Sequence, residues 1–294
     1  MKRYRIFFML GLSFGLFASC NEDSPLETEQ YMKQVYIVGA NEVVRKVDVP
    51  FGDEPQSTFI SVATGGSLNI DQDVNVKLTH GDAAIAWYNN KYMPDAPLKY
   101  RKLDDEFCEI PSMSTTIKTG EVYSRLPFFI KTSALDCDSL YALTFKIESV
   151  SAYSKHSKDT VLIMNLNFTN DYSGTYQMTA TRYTLSGDEE TMPTSINMIR
   201  SMKAVNKDKA RFYNITQTVE LTPTSTTSYD EYFKVIADHC VVFERQPDGK
   251  FIVNGWKNLS ITNGTVTFSD DTFTFTYDYV YGGKNYRLKG TMKR

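Results

Sequence analysis

Apolar and polar residues alternate from Phe273 to Lys289 on either side of Gly282-Gly283, a pattern that a β-hairpin satisfies and a helix does not. With the two glycines as a two-residue turn, Tyr281 faces Lys284, Tyr279 faces Tyr286 and Tyr277 faces Leu288. One face then carries Phe273, Phe275, Tyr277, Tyr279, Tyr281, Tyr286 and Leu288. The other carries Thr274, Thr276, Asp278, Asn285, Arg287 and Lys289, with Asp278 opposite Arg287 as suits a solvated face. The aromatic face must be covered, either as the core of a small barrel or sandwich or as the floor of a sugar-binding cleft. A regular apolar face on a strand favours core. Tyr281, beside the turn, is the member expected to reach solvent.

Short strands bounded by Gly, Pro, Asn and Asp recur along the chain, so the sequence predicts an all-β protein. In the first half they are Val35 to Val38, Phe59 to Val62, Val74 to Thr79, Leu126 to Ile130, Tyr141 to Val150 and Val161 to Phe168. Val74, Val76 and Leu78 alternate with Asn75, Lys77 and Thr79, while Leu162, Met164, Leu166 and Phe168 share one face. Regular turn signals over residues 34–168 favour an immunoglobulin-like β-sandwich. Residues 169–294 predict a second antiparallel β-sandwich or barrel-like domain. Its strands are Thr175 to Leu185, Ala210 to Leu221, Cys240 to Arg245, Phe251 to Val253, Thr265 to Phe268 and the last hairpin. Ser228-Tyr229-Asp230-Glu231 has capping-box spacing and allows a short helix over Glu231 to Ala237, although Phe233, Val235 and Ile236 leave the period open. A length of 294 residues suits two domains.

Lys2, Arg3 and Arg5 lead into the apolar run Ile6 to Phe17, then Ala18-Ser19-Cys20 and Asn21-Glu22-Asp23. This predicts a secretory signal over residues 1–19, too short to serve as a permanent membrane span. Phe17-Ala18-Ser19-Cys20 resembles a bacterial lipobox, which implies that Cys20 is lipidated and becomes the N-terminus. Residues 20–33 then form a polar, acidic tether, and the membrane is reached through the lipid anchor only. Formal net charge is −3, and loss of the signal removes three cations and no acid. Nucleic acid is therefore not an expected partner. Beyond Cys20 the cysteines are Cys108, Cys137 and Cys240. An oxidising compartment permits a Cys108–Cys137 bridge, but the odd count is no disulfide framework and favours three free thiols. His80, His156 and His239 lie far apart and no C-x-x-C occurs, so neither a metal site nor a cofactor is expected.

Asn170-Asp171-Tyr172-Ser173-Gly174-Thr175-Tyr176 resembles the N-x-Y-S-G-x-Y opening of the C-terminal domain in certain two-domain Bacteroidetes surface lipoproteins. Val35 to Ala40, Ala63 to Ser67 and Leu126 to Ser133 are similar to their immunoglobulin-like N-terminal domain. The resemblance implies glycan capture at the outer face of the outer membrane, in partnership with an outer-membrane transporter and its associated lipoproteins. Aromatic rings suit such a role because they stack on the C–H faces of sugars while polar side chains meet hydroxyls. The candidates are Trp256, in the polar turn Asn254 to Asn258, and Trp87 and Tyr88 ahead of Tyr92, together with Tyr281.

A glycosidase needs two carboxylates flanking the scissile bond. Asp104-Asp105-Glu106, Asp188-Glu189-Glu190 and Asp270-Asp271 lie in turn-like surroundings and are expected to be solvated loop acids. No nucleophile elbow, H-E-x-x-H or phosphate loop is present. Asp71-Gln72-Asp73-Val74-Asn75 mimics the start of a calcium loop, but Val76 stands where glycine is needed. N-x-S/T tripeptides at Asn167, Asn214, Asn258 and Asn263 fit chance in a Thr-rich chain. The expectation is a non-catalytic binder of poly- or oligosaccharide; the alternative is a structural or adhesive surface protein whose partner is another protein.

Overall fold

The structure is a computed structural model that describes residues 28–222 and 228–294. The expected signal and Cys20 lie outside those residues.

Two sheets build the first half. One has the order β10-β1-β3-β8-β6, from Gln34–Ile37 (β1), Gln56–Gly65 (β3), Cys108–Glu109 (β6), Tyr123–Ile130 (β8) and Ser154–Lys155 (β10). The other has the order β2-β11-β9-β4-β7, from Val44–Pro50 (β2), Val74–Thr79 (β4), Ser114–Ile117 (β7), Leu140–Val150 (β9) and Val161–Thr169 (β11). Tyr100–Lys102 (β5) adds to β9 in parallel. The inner faces meet in one core, where Val35, Ile37 and Phe128 pack with Val76, Leu78 and Phe145. The Phe128 and Phe145 rings lie 5.5 Å apart across it. In β4, Val74, Val76 and Leu78 are buried while Asn75 and Lys77 are exposed, as period-two alternation requires. In β9 and β11 the alternation is overridden. Ala142, Thr144 and Ile163 point away from the core yet are buried, because the helix Ala83–Tyr92 (α1) covers that outer face.

The second half is a closed barrel of eight strands in sequence order. They are Gly174–Ser186 (β12), Glu189–Ala204 (β13), Lys209–Tyr213 (β14), Cys240–Arg245 (β15), Phe251–Gly255 (β16), Ile261–Ser269 (β17), Thr272–Tyr281 (β18) and Lys284–Lys293 (β19). Eight strands leave a lumen that side chains can fill, and Phe212, Phe243, Phe273, Phe275 and Tyr277 fill it. The last hairpin has the register read from sequence, with Tyr281 opposite Lys284, Tyr279 opposite Tyr286 and Asp278 opposite Arg287. Gly282 and Gly283 adopt φ of 57° and 74°, the two positive values that a tight hairpin turn needs. The aromatic face is core, and Tyr281 alone of its tyrosines is exposed.

The N-x-Y-S-G-x-Y motif plugs one end of this barrel. Tyr172 inserts edge-on against Phe251 and Phe268, with ring centroids 5.0 and 5.5 Å away. The Asn170 amide donates to the carbonyls of Asn206 and Lys209 (2.7 and 2.8 Å), and the Tyr176 hydroxyl donates to the Tyr172 carbonyl (3.0 Å). Gly174, at φ 139°, supplies the bend that few other residues adopt. Ser228 caps the helix Tyr229–His239 (α2) by accepting from the Glu231 amide, which settles the segment left open by its apolar pattern.

Several expectations need correction. The strand expected over Ala210 to Leu221 stops at Tyr213, because Asn214 opens a turn in which the Gln217 amide donates to its carbonyl. Glu190 is no loop acid: it lies in β13 and pairs with Arg287 (3.0 Å) and Lys289 (2.6 Å) across the barrel surface. The cysteines, by contrast, follow the favoured reading: Cys108, Cys137 and Cys240 are all free. Residues 29–33 are not a loose tether, since the amides of Gln30 and Tyr31 donate to Ser67 and Glu29 accepts from the Ser67 amide.

Candidate functional site

Ala83-Ala84-Ile85-Ala86 are good helix formers, and Pro94 stands just beyond the last turn of α1. Ile85 buries against Ala142 and Ile163 of the sandwich. Buried Asn89 fastens the helix to β5, donating to the Tyr100 carbonyl (2.8 Å) and accepting from the Tyr100 amide (3.1 Å). At the helix start, Thr144 donates to Asp82 (2.6 Å) and Lys102 lies 3.2 Å from it. Burial pushes the Asp82 carboxyl up, but these two partners outweigh it and hold its pKa below the ordinary value.

Helical spacing sets the outward side chains. Trp87 with Lys91, and Tyr88 with Tyr92, are neighbours one turn apart. Trp87 meets Tyr92 edge-on at 5.6 Å, Tyr88 lies 4.9 Å from Tyr92, and Tyr100 lies 5.7 Å from Tyr88. Trp87 is 47% and Tyr92 51% exposed. The Lys91 ammonium sits 5.0 Å from the Trp87 ring and 4.9 Å from the Tyr92 ring. Two exposed rings share one cation, and the half-buried Tyr88 and Tyr100 continue the cluster toward the sheet, more than scattered apolar exposure requires.

Tyr100 also lines a cleft of about 810 Å³ between sandwich and barrel, within the size range of small-ligand sites. Lys46, Asp48, Asn165 and Asn167 line its sandwich side; Lys203, Tyr213, Glu220 and Tyr232 line its barrel side. Burial raises the pKa values of Tyr100, Tyr213 and Tyr232, so all three remain neutral hydroxyls near pH 7. Both cleft carboxylates have protein partners: Asp48 accepts from Asn167 (2.6 Å) and Glu220 from the Ser201 amide (3.0 Å).

The cleft is held by an ion cluster. Arg211 donates from Nη1 to Asp138 (2.8 Å) and from Nη2 to its other oxygen, and Lys203 donates to the same carboxylate (3.0 Å). Burial would raise the Asp138 pKa; the two cations overcome it and hold it at about 2. Asp136, Cys137 and Asp138 lie close enough to suggest a metal cluster, but Asp138 is already taken by these cations.

Of the residues singled out from sequence, Trp87, Tyr88 and Tyr92 come together on α1. Trp256 does not join them and is no free turn residue: its ring is half-buried beside Tyr213 and Tyr232, with the Arg211 guanidinium 4.9 Å from it. Tyr281 stands apart on the last hairpin, 6.2 Å from the His239 ring. Sequence reasoning missed Lys91, Asn89 and Tyr100. The run Ala83 to Ala86 followed by aromatics four apart was the signal for the first two. The Asp71, Asp73 and Asn75 side chains engage Tyr153, Lys118 and Thr116 respectively.

A family model for an N-terminal domain matches residues 31–154, and one for a C-terminal domain matches residues 160–293. No curated protein matches the chain significantly. A Bacteroides ovatus protein of unknown function superposes with a TM-score of 0.61 at 10% identity, covering 89% of this chain and 94% of its own. A Bacteroides ovatus multidomain protein including DUF1735 gives 0.56 at 16% identity, with 85% and 89% covered. An auxiliary nutrient binding protein from Bacteroides thetaiotaomicron gives 0.56 at 16% identity, with 86% and 90% covered. At such identities these likenesses concern the fold. Both domain models match in order, the opening motif plugs the barrel, and solved Bacteroides structures share the whole architecture; the chain belongs to the Bacteroidetes family that joins an immunoglobulin-like N-terminal domain to a β-rich C-terminal domain.

Proposed function

We propose that this protein is a non-catalytic lipoprotein, anchored through Cys20 on the outer face of the outer membrane, that binds poly- or oligosaccharide and passes it to an outer-membrane transport system. The observation that carries this reading is the cluster of exposed Trp87 and Tyr92 with half-buried Tyr88, next to Tyr100, which lines a polar cleft. Sugar C–H faces stack on the rings, and hydroxyls meet the amides and tyrosine hydroxyls of the cleft. The nutrient-binding role of one structural neighbour is in keeping with it.

Affinity electrophoresis through gels containing plant and host polysaccharides tests the binding. Retardation in at least one glycan, weakened about tenfold (~1.4 kcal/mol) by Trp87→Ala with an unchanged melting temperature, is the expected result. Product release from the retarding glycan would replace binder with enzyme. Mass spectrometry of the N-terminal peptide is expected to find acyl chains on Cys20.

One observation favours the protein-partner alternative. On the outer side of β3 and β8, Phe59 and Tyr123 are 45% and 47% exposed, and the Arg125 guanidinium lies 4.4 Å from the Phe59 ring. Co-purification of an envelope protein that Phe59→Ala abolishes, with no glycan bound, would establish that reading instead.

A further inference from the structure

Around α1 the cations fall into two groups, those paired with carboxylates and those that are not. Residues 82–106 hold Lys91, Lys99, Arg101 and Lys102 together with the acids Asp82, Asp95, Asp104, Asp105 and Glu106. Arg101 is matched by Asp104 at 3.6 Å, and Lys102 by Asp82 and Asp105 at 3.2 and 3.1 Å. Lys91 and Lys99 have no carboxylate within ion-pair distance among the described residues. Lys91 is held over the Trp87 and Tyr92 rings, the surfaces on which a sugar would stack.

That position discriminates between ligands. A neutral pyranose reaching those ring faces displaces the ammonium and receives no charge in exchange. A sugar bearing a carboxylate or sulfate instead pairs with an ammonium that cation–π contact has already placed, so less freedom is lost on binding. Trp87 and Tyr92 thereby set both the stacking surface and the position of the charge.

We propose that the glycan recognised by the α1 surface is anionic, with a sugar carboxylate or sulfate seated against Lys91. The proposal rests on the glycan-binding reading above and narrows its ligand class. The purified full chain is run through affinity gels containing polygalacturonate, chondroitin sulfate, neutral galactan or dextran. Expected is at least about tenfold tighter binding to one acidic polymer than to either neutral one. Lys91→Gln should remove that preference, and Lys91→Arg should keep it. Raising salt from about 0.1 M to about 1 M should weaken the wild type far more than Lys91→Gln. Polygalacturonate against chondroitin sulfate separates a preference for carboxylate alone from one that needs sulfate. Equal binding of neutral and acidic polymers, or an acidic preference that survives in Lys91→Gln, overturns the proposal and leaves glycan binding intact. Retention by no polymer of either class overturns both.

Discussion

Asp138 shows how one side chain can hold two domains in register. Its carboxylate is buried and faces Arg211 and Lys203, residues 73 and 65 positions later in the chain. Two charges removed from water must be matched closely, and losing one partner of such a cluster leaves the others buried and uncompensated. Asp138→Asn is therefore expected to cost about 3 kcal/mol or more of stability, measured by urea unfolding at pH 7. Nothing local in Asp138-Ser139-Leu140 announces this role. The two tryptophans teach the same lesson in reverse. A polar, glycine-containing turn suggests an exposed ring at Trp256, but Arg211 and α2 arrive from elsewhere to cover it. Trp87 is exposed, although its sequence neighbours gave no stronger hint.

Among the elements, the last hairpin was legible to the residue because its turn type fixes the register and alternation fixes the faces. Strand β13 was not. Its inward residues Ile196, Met198 and Met202 alternate, but Arg200 interrupts the apolar set. That arginine is buried, donating to the carbonyls of Asn214 and Gln217 (3.3 and 2.7 Å). The barrel plug was recognisable as a motif, while its purpose needed the structure. Tyr172→Ala should remove the ring wedged against Phe251, Phe268 and Phe273 and lower stability by about 3 kcal/mol, read as a fall in melting temperature. On α1 the aromatic residues could be picked out, but the helix carrying them could not be placed without the sheet face that it covers. Asn89→Ala should cost about 1–3 kcal/mol and speed hydrogen exchange at the Tyr100 amide, with the global fold retained.

For the whole molecule, two β domains were legible and the cleft between them was not, because it depends on pairs separated by many tens of residues. Its acid sensitivity follows from Asp138. An aspartate titrates near 3.9 in an unfolded chain and at about 2 here. A depressed folded value means that the carboxylate stabilises fully above pH ~4, and that this share disappears as pH falls from about 4 to about 2. Unfolding followed over that interval should show a steeper loss for the wild type than for Asp138→Asn. A shallower wild-type slope would remove Asp138 from the account of acid stability.

Closure of the barrel has one more effect. Because β19 pairs back onto β12, the sheet closes on itself, yet β13 meets β14 only at Lys203 and Ala204, so its flank from Glu189 to Arg200 has no strand partner on that side among the described residues. Sheet flanks in the other half are poor templates: β6 and β10 are two residues long, β7 is four, and β2 carries Arg45 and Lys46 and ends at Pro50. Copies crowded side by side at high density would find few seams along which to zip into fibres, and the flank of β13 is the one a neighbour would have to use.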